Sequence, residues 1–302
     1  MTQPAPSLHS SPVVGIGKGR VLAGLLGRGI LESRTPWMQE CEAQAQGLHM
    51  VYSLLDFSDR GWADGELGAA LDAVQRVGFA GVNVTFPFKQ AVVPLLDELS
   101  PQAAAIGAVN TVAFRDGRRI GYNTDVTGFA HAFGDRMGGE KLDRVLQLGC
   151  GGAGSATAHA LLSLNGVAHL VLTDTDPARA EALRAQLTAA YGEGRASVAP
   201  DAAQAAAGVD GIVNATPIGM AKFPGMPIVA EALQPHHWVS EIIYFPLETQ
   251  LLKTAKALGC RTMTGRGMAV GQAVDAFRIF TGLTPDRQRM WDSFSKFEQD
   301  AN

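Results

Sequence analysis

The sequence predicts an α/β protein in two halves, and three observations predict it. Apolar strand-like runs alternate with helical patterns almost throughout. Glycine is enriched, at 35 of 302 residues, against a usual share of about 7%, and it clusters where strands pass into helices. At about 150 residues per domain, the chain is long enough for roughly two domains, each with a core of its own.

In the first half, Val21–Leu26 reads as a strand, Pro36–Gln46 as a helix and His49–Leu55 as a second strand. A helix over Leu67–Val77 stops at Gly78, and Val82–Thr85 is a short strand running into Pro87. Ala91–Leu99 and Pro101–Ile106 have helical spacing, and Val109–Phe114 with Ile120–Tyr122 forms a hairpin across Asp116-Gly117. In the second half, strand Val145–Leu148 leads through a glycine-rich turn into an alanine-rich helix ending near Leu164. Strand Leu170–Leu172, a helix from Pro177 to about Ala190, strands Gly211–Asn214 and Val239–Tyr244, and helix Thr249–Leu258 complete a doubly wound pattern. A short helix is expected in Asp201–Gly208, another over Met268–Phe280, and a last one from about Pro285.

Composition removes several function classes. Hydrophobic residues make up 46% and charged residues 18%, a globular balance unlike that of a disordered chain. The net charge of −4 carries no basic run, which argues against general nucleic-acid or anionic-membrane binding. Cys41, Cys150 and Cys260 are odd in number and widely spaced, fitting a reducing compartment and no zinc site. Residues 1–12 read as a loose tail, not a signal peptide, and no apolar run reaches membrane-spanning length, so a cytoplasmic protein is expected. The His236-His237 pair is expected on the surface, and no metal ligand set is expected.

Gly149–Gly154 reads GCGGAG, a G-x-G-x-x-G turn with a strand before it and a helix after it. Gly149, Gly151 and Gly154 take the glycine positions. With Gly152 and Ala153 they would bring backbone N–H groups to a pyrophosphate at the helix N-terminus. Asp174 closes the next strand, 20 residues after Gly154; a carboxylate there accepts hydrogen bonds from ribose hydroxyls and repels a 2′-phosphate. A methyltransferase using S-adenosylmethionine shares this loop and acid, so the pattern alone does not separate hydride from methyl transfer.

Three polar clusters interrupt apolar strands in the first half: NVTFPFK (Asn83–Lys89), GAVNT (Gly107–Thr111) and YNTD (Tyr122–Asp125). With SRTP (Ser33–Pro36) they offer hydroxyls, amides and charged groups of both signs, a set suited to a small polyhydroxylated ligand. These motifs, with GCGGAG, NATPIGM (Asn214–Met220) and GRGMAVGQAVDAF (Gly265–Phe277), resemble the shikimate dehydrogenase family over nearly the whole chain. NTDVTGF, FPLETQLLK and FRIFTGL resemble its NAD-dependent quinate/shikimate dehydrogenase branch.

The resemblance implies a substrate-binding domain over residues 1–126 and a Rossmann-like NAD-binding domain over 127–267, with a cleft between them. Residues 268–302 would form helices returning to the substrate domain. The implied activity is hydride transfer between NAD and the C3 hydroxyl or ketone of quinate or shikimate, in the shikimate pathway or quinate metabolism. Lys89 is the implied general acid/base and Asp125 its partner on the reacting hydroxyl. Ser33, Thr35, Thr85, Asn110, Tyr244 and Gln272 would bind the ring carboxylate and hydroxyls. Asn214, Thr216 and Met220 would line the ribose side of the cofactor, and Gly265 and Met268 would approach the nicotinamide, with Met268 nearly as readable as core. NADP is less favoured, because Asp174-Thr175-Asp176 has no arginine at the family's clamp position; Arg179, counted among the candidate cofactor-binding residues, stands one turn further on, within reach of Asp176 or Glu181. Glu241 replaces an aspartate common in the family. Alternatives are a shikimate- or aminoshikimate-specific enzyme, the methyltransferase, or a silent metabolite sensor; a monomer or a homodimer is expected.

Overall fold

The structure, a computed structural model, describes residues 19–299. The tail expected over residues 1–12 lies outside the described residues. The chain runs β1 (Arg20–Gly27), α1 (Thr35–Ala45), β2 (His49–Asp56), α2 (Leu67–Val77), β3 (Gly81–Val84), β4 (Glu98–Leu99), α3 (Pro101–Ile106), β5 (Thr111–Arg115), β6 (Arg118–Tyr122) and α4 (Thr124–Met137). It continues with β7 (Arg144–Leu148), α5 (Gly152–Ser163), β8 (His169–Thr173), α6 (Pro177–Tyr191), β9 (Ala196–Val198), α7 (Ala202–Ala206), β10 (Gly211–Asn214), β11 (Trp238–Glu241), α8 (Gln250–Ala257), β12 (Arg261–Met263), α9 (Arg266–Thr281) and α10 (Arg287–Gln299).

These elements gather into two compact units, each with its own sheet. The first takes the described residues through Ser100, then Val109–Tyr122, then those from Ala273 onward; the second takes Pro101–Ala108 and Asn123–Gln272. The division falls inside α9, between Gln272 and Ala273.

The first unit holds a mixed sheet in the order β2-β1-β3-β5-β6-β4. β1 runs parallel to β2 and β3, while β5 is antiparallel to β3 and β6. The C-terminal ends of β1, β2, β3 and β6 and the N-terminal end of β5 therefore share one edge of the sheet. On one face Val21, Ala23 and Leu25 pack with Tyr52 and with Ala276, Phe277 and Phe280 of α9. α2 buries Leu67, Ala70, Leu71 and Val74, the i, i+3, i+4, i+7 stripe of an amphipathic helix.

The second unit is an all-parallel sheet in the order β12-β11-β10-β7-β8-β9. Both faces are covered, which is why its strands read as near-continuous apolar runs. One core joins α4, α5 and α6 residues such as Phe129, Leu161 and Leu183 to Val145 and Leu170; the other joins Leu146 and Val239 to Leu251 and Leu252 of α8. Strand order reverses between β7 and β10, the place where open α/β sheets leave a ligand crevice at the strand C-termini.

Most expected elements are present, and four expectations change. Ala91–Leu99 is not helical: a single 3-10 turn over Val93–Leu95 contains Pro94, and Glu98–Leu99 instead pairs with Ile120 and Gly121. α4, β9 and β12 have no counterpart among the expected elements. β11 stops at Glu241, short of Tyr244, because the Glu241 carboxylate accepts the Ile243 N–H in place of a strand partner. His237 is buried, not on the surface, and its ring nitrogens meet the Ala206 carbonyl and the Gln234 N–H. Among the described residues no helix is long and apolar enough to cross a membrane.

Candidate active site

The shared sheet edge of the first unit collects the polar clusters. Past β3, the Thr85 N–H extends the ladder to the Leu26 carbonyl at 2.9 Å, and the Thr85 carbonyl accepts the Phe88 N–H at 2.9 Å. This turn carries Lys89, whose side chain is half-buried and whose carbonyl accepts the Val109 N–H at 2.8 Å. GAVNT is thereby pinned beside the lysine. Asn110 is buried: its carbonyl accepts the Val84 N–H at 2.8 Å, and its Oδ1 accepts the Thr111 hydroxyl at 3.0 Å. Asn83 supports it from behind, donating to Thr111 Oγ1 at 2.9 Å and accepting the Tyr52 hydroxyl at 2.6 Å.

The segment after β1 reaches the same edge. The Arg28 N–H donates to the Phe86 carbonyl at 3.1 Å, and the Ser33 N–H to the Ile30 carbonyl at 2.9 Å. Ser33 Oγ faces the Thr35 N–H at 3.4 Å, at the start of α1, where Pro36 occupies the first turn. Gly27 has no room for a side chain, since a Cβ would collide with the Thr85 methyl. Ser33, Thr35, Thr85, Lys89 and Asn110 are thus brought to one edge.

In the second unit, Asn123 caps α4: its Oδ1 accepts the Asp125 N–H at 3.1 Å, and its amide donates to the Ala108 carbonyl at 2.9 Å. Asp125 is 5% exposed and sits in the first turn, where exposed helix N–H groups favour a carboxylate. α4 and α9 meet backbone to backbone at Gly128 and Gly271, so Asp125 and Gln272 lie on adjoining helices near this crossing. Gln272 is half-buried and donates to the Ala269 carbonyl at 3.0 Å. Tyr244, beyond β11, is exposed.

The glycine turn has the geometry of an anion cradle. Gly149 has φ of 95°, a left-handed backbone that favours glycine, and Gly154 packs where a Cβ would strike the Gly149 carbonyl. Gly151 opens α5 with no side-chain cap, leaving the first-turn N–H groups of Gly152, Ala153 and Gly154 for a ligand. Gln147, buried in β7, donates to the Gly149 carbonyl at 3.0 Å and the Gly154 carbonyl at 2.8 Å and so fixes the loop from below. Asp174 lies alongside: its Oδ2 accepts the Cys150 N–H at 2.7 Å and its Oδ1 the Asp176 N–H at 2.9 Å. Its side chain is 6% exposed, with Arg179 Nη1 3.6 Å from Oδ1. Glu181 is engaged by Arg184 three residues on, so Arg179 pairs with Asp174 and, at 3.9 Å, Asp176. Burial beside Asp174 pushes the Cys150 thiol up to about 12, leaving it a neutral side chain. These residues fit a dinucleotide.

Across the switch point, Asn214 is fully buried. Its amide donates to both Glu241 oxygens at 3.0 Å and to the Ile218 carbonyl at 3.0 Å, and its Oδ1 accepts the Thr216 N–H and hydroxyl at 2.9 and 2.7 Å. Asn214 and Thr216 therefore shape the segment from within, while Met220 is exposed. Glu241 also accepts the Thr249 hydroxyl at 3.1 Å. Burial raises its carboxyl to about 7 against the lowering pull of these donors. Gly265 sits against the Ile242 carbonyl with no space for a Cβ, and Met268 belongs to the α4–α5 core.

Tyr52, Asp56, Gln147 and the hub role of Glu241 are absent from the motif-based set. Gln147 carried a signal, being a polar residue inside the apolar strand VLQL. The others engage partners far away in sequence.

Comparison with known proteins matches residues 25–112 to the shikimate dehydrogenase substrate binding domain and residues 265–293 to the shikimate 5'-dehydrogenase C-terminal domain. A shikimate dehydrogenase (NADP(+)) of Streptomyces avermitilis is 52% identical over 271 residues, covering 89% of this chain and 93% of that one. A quinate/shikimate dehydrogenase (NAD(+)) of Corynebacterium efficiens is 50% identical over 281 residues, covering 91% and 97%. The solved quinate dehydrogenase from Corynebacterium glutamicum in complex with NAD superimposes with a TM-score of 0.85 at 45% identity, over 92% of this chain and 99% of that one. The chain belongs to the shikimate dehydrogenase family.

Proposed function

We propose that this member of the shikimate dehydrogenase family is an NAD-dependent quinate/shikimate dehydrogenase, a cytoplasmic enzyme acting on the C3 hydroxyl or ketone of a small ring carboxylate. The observation that carries the reading is the single sheet edge where Ser33, Thr35, Thr85 and Asn110 meet Lys89: hydroxyls and an amide suited to a polyhydroxylated acid, beside the lysine cation. The unit built on this sheet is the substrate domain. The unit carrying the glycine turn is the cofactor domain, with the N–H groups of Gly152–Gly154 for the pyrophosphate and Asp174 for the ribose hydroxyls. When bound, the nicotinamide supplies the hydride acceptor. Lys89 takes the proton of the reacting hydroxyl in the oxidising direction and returns it in the other, and Asp125 accepts a hydrogen bond from that hydroxyl. Tyr244 and Gln272 complete the substrate contacts; Met220 and Gly265 are on the cofactor side.

The NAD preference rests on Asp174 and on Thr175 standing at the clamp position. A second reading, NADP with shikimate, draws on the Streptomyces relative and on Arg179, which lies beside Asp174 on the surface. A kinetic matrix of quinate, shikimate and an aminoshikimate against NAD and NADP separates them. We expect NAD to exceed NADP in kcat/KM by about tenfold or more, which is about 1.4 kcal/mol. Equal efficiency sinks the NAD assignment, and no turnover of any of the acids sinks the whole reading.

A further inference from the structure

Asp56 closes β2, a strand with no catalytic motif, yet its carboxylate is 2% exposed and turned into the segment that leads to Ser33 and Thr35. Oδ1 accepts the Gly29 N–H at 2.9 Å and the Ser58 N–H at 2.9 Å, while Oδ2 accepts the Ile30 N–H at 2.7 Å. The chain of bonds continues outward: the Ile30 carbonyl accepts the Ser33 N–H, and Ser33 Oγ faces the Thr35 N–H. On the other side, Arg28 donates its N–H to Phe86 in the Thr85–Lys89 turn. We propose that Asp56 is the positioning residue of the substrate loop, fixing the main chain at Gly29 and Ile30 so that Ser33 and Thr35 face the ring carboxylate and hydroxyls. The proposal deepens the functional reading and rests on it for the identity of the substrate.

The chemistry explains why an acid stands there. A single ionised carboxylate offers two oxygens to several backbone donors at once, and hydrogen bonds to a charged acceptor are stronger than neutral ones. Burial alone would raise the carboxyl of Asp56, but the N–H groups of Gly29, Ile30, Ser58 and Asp59 together hold it below its ordinary value. It stays ionised at neutral pH and keeps all its acceptor sites. An amide of the same shape has one acceptor oxygen and would turn an NH2 group toward one of these N–H donors.

The test is Asp56→Asn, measured in two ways. In steady-state kinetics the KM for quinate and shikimate should rise by about tenfold or more, with kcat changed less and the KM for NAD within about twofold. In hydrogen–deuterium exchange of the ligand-free protein, peptides spanning residues 28–36 should exchange at least about tenfold faster, while those spanning residues 149–176 stay as in the wild type. Unchanged substrate KM, or an unchanged exchange rate over 28–36, overturns the proposal. An equal rise in the KM for NAD overturns it too, since that marks general damage. If the wild type turns over neither acid, the functional reading fails, and the exchange measurement still decides whether Asp56 holds the loop.

Discussion

In each unit a buried carboxylate holds a loop at the end of a strand, Asp56 in the first and Glu241 in the second, and the two are held in opposite ways. Asp56, in the first unit, is surrounded by backbone N–H groups aimed at it, and its carboxyl is held below the usual range despite burial. Glu241, in the second, is 0% exposed; the Asn214 amide, the Thr249 hydroxyl and the N–H groups of Ile242 and Ile243 do not offset burial, and its carboxyl stands at about 7. Desolvation acts on both. Both residues close a parallel strand, but Asp56 gathers the main-chain N–H groups of Gly29, Ile30, Ser58 and Asp59, whereas Glu241 has those of Ile242 and Ile243 with one amide and one hydroxyl, too little to offset its complete burial. The proposed substrate loop is thus anchored by a fixed charge and the Asn214–Ile218 segment by a group whose carboxyl stands near neutrality.

The largest expected effect breaks the comparison at the chemistry itself. Lys89→Ala should lower kcat by about 10²–10⁴-fold, the usual contribution of a positioned acid or base, while NAD binding to the other unit persists. Initial rates across pH, with NAD affinity by fluorescence, check this; near-wild-type kcat with an unchanged pH profile would remove Lys89 from the mechanism.

Next comes the pH contrast. A carboxyl whose folded pKa is raised contributes stability that is complete below its unfolded value near 4.5 and lost as pH rises through about 7. Relative to Glu241→Gln, the wild type should therefore lose about 3 kcal/mol of stability between these limits. Asp56 has the opposite sign: its contribution is present above the ordinary carboxylate range and lost only in acid, below the window in which Glu241 acts. Calorimetry of wild type and Glu241→Gln at a series of pH values reads the difference, and parallel curves would contradict it.

A smaller effect concerns the cofactor. Asp174→Ala should reduce the expected preference for NAD, about tenfold in kcat/KM, toward parity, with the loss falling on NAD. A preference that survives the substitution would assign selectivity elsewhere. The smallest effect belongs to Thr35→Gly, which should raise the KM for the acid several-fold, on the order of one lost hydrogen bond. The Kd for NAD should not move; a matched loss would misplace the loop.

Much of this was legible in the sequence where the signal is local. The glycine turn, the acid 20 residues on, and the strand-ending clusters announce themselves because each is a short run of unusual composition between apolar segments. α4 was legible in principle, since Val126, Phe129, Ala130, Phe133 and Met137 recur at helical spacing and are buried; its opening residues instead stand out as the polar run NTD. Asp56 was not legible. An aspartate after a strand reads as an ordinary turn residue, and its partners Gly29 and Ile30 lie 27 and 26 positions earlier. Asn214 illustrates the converse: the motif marks it correctly as special, but only the fold shows that its amide is committed to Glu241.

The first unit is assembled from three separate stretches of chain, and its core includes Ala276, Phe277 and Phe280, while Glu42 of α1 meets Arg289 of α10. During synthesis the early strands β1, β2 and β3 emerge long before these partners exist. The second unit, nearly continuous from Asn123 to Gln272, has its full set of strands earlier in relation to its own end. Domains usually fold in the order in which they leave the ribosome, but here the opposite order is expected, because the amino-terminal unit's core takes in α9 and its α1 pairs with α10. A nascent protein stalled before Ala273 should protect the later-made unit from protease while the earlier-made one remains open to cleavage.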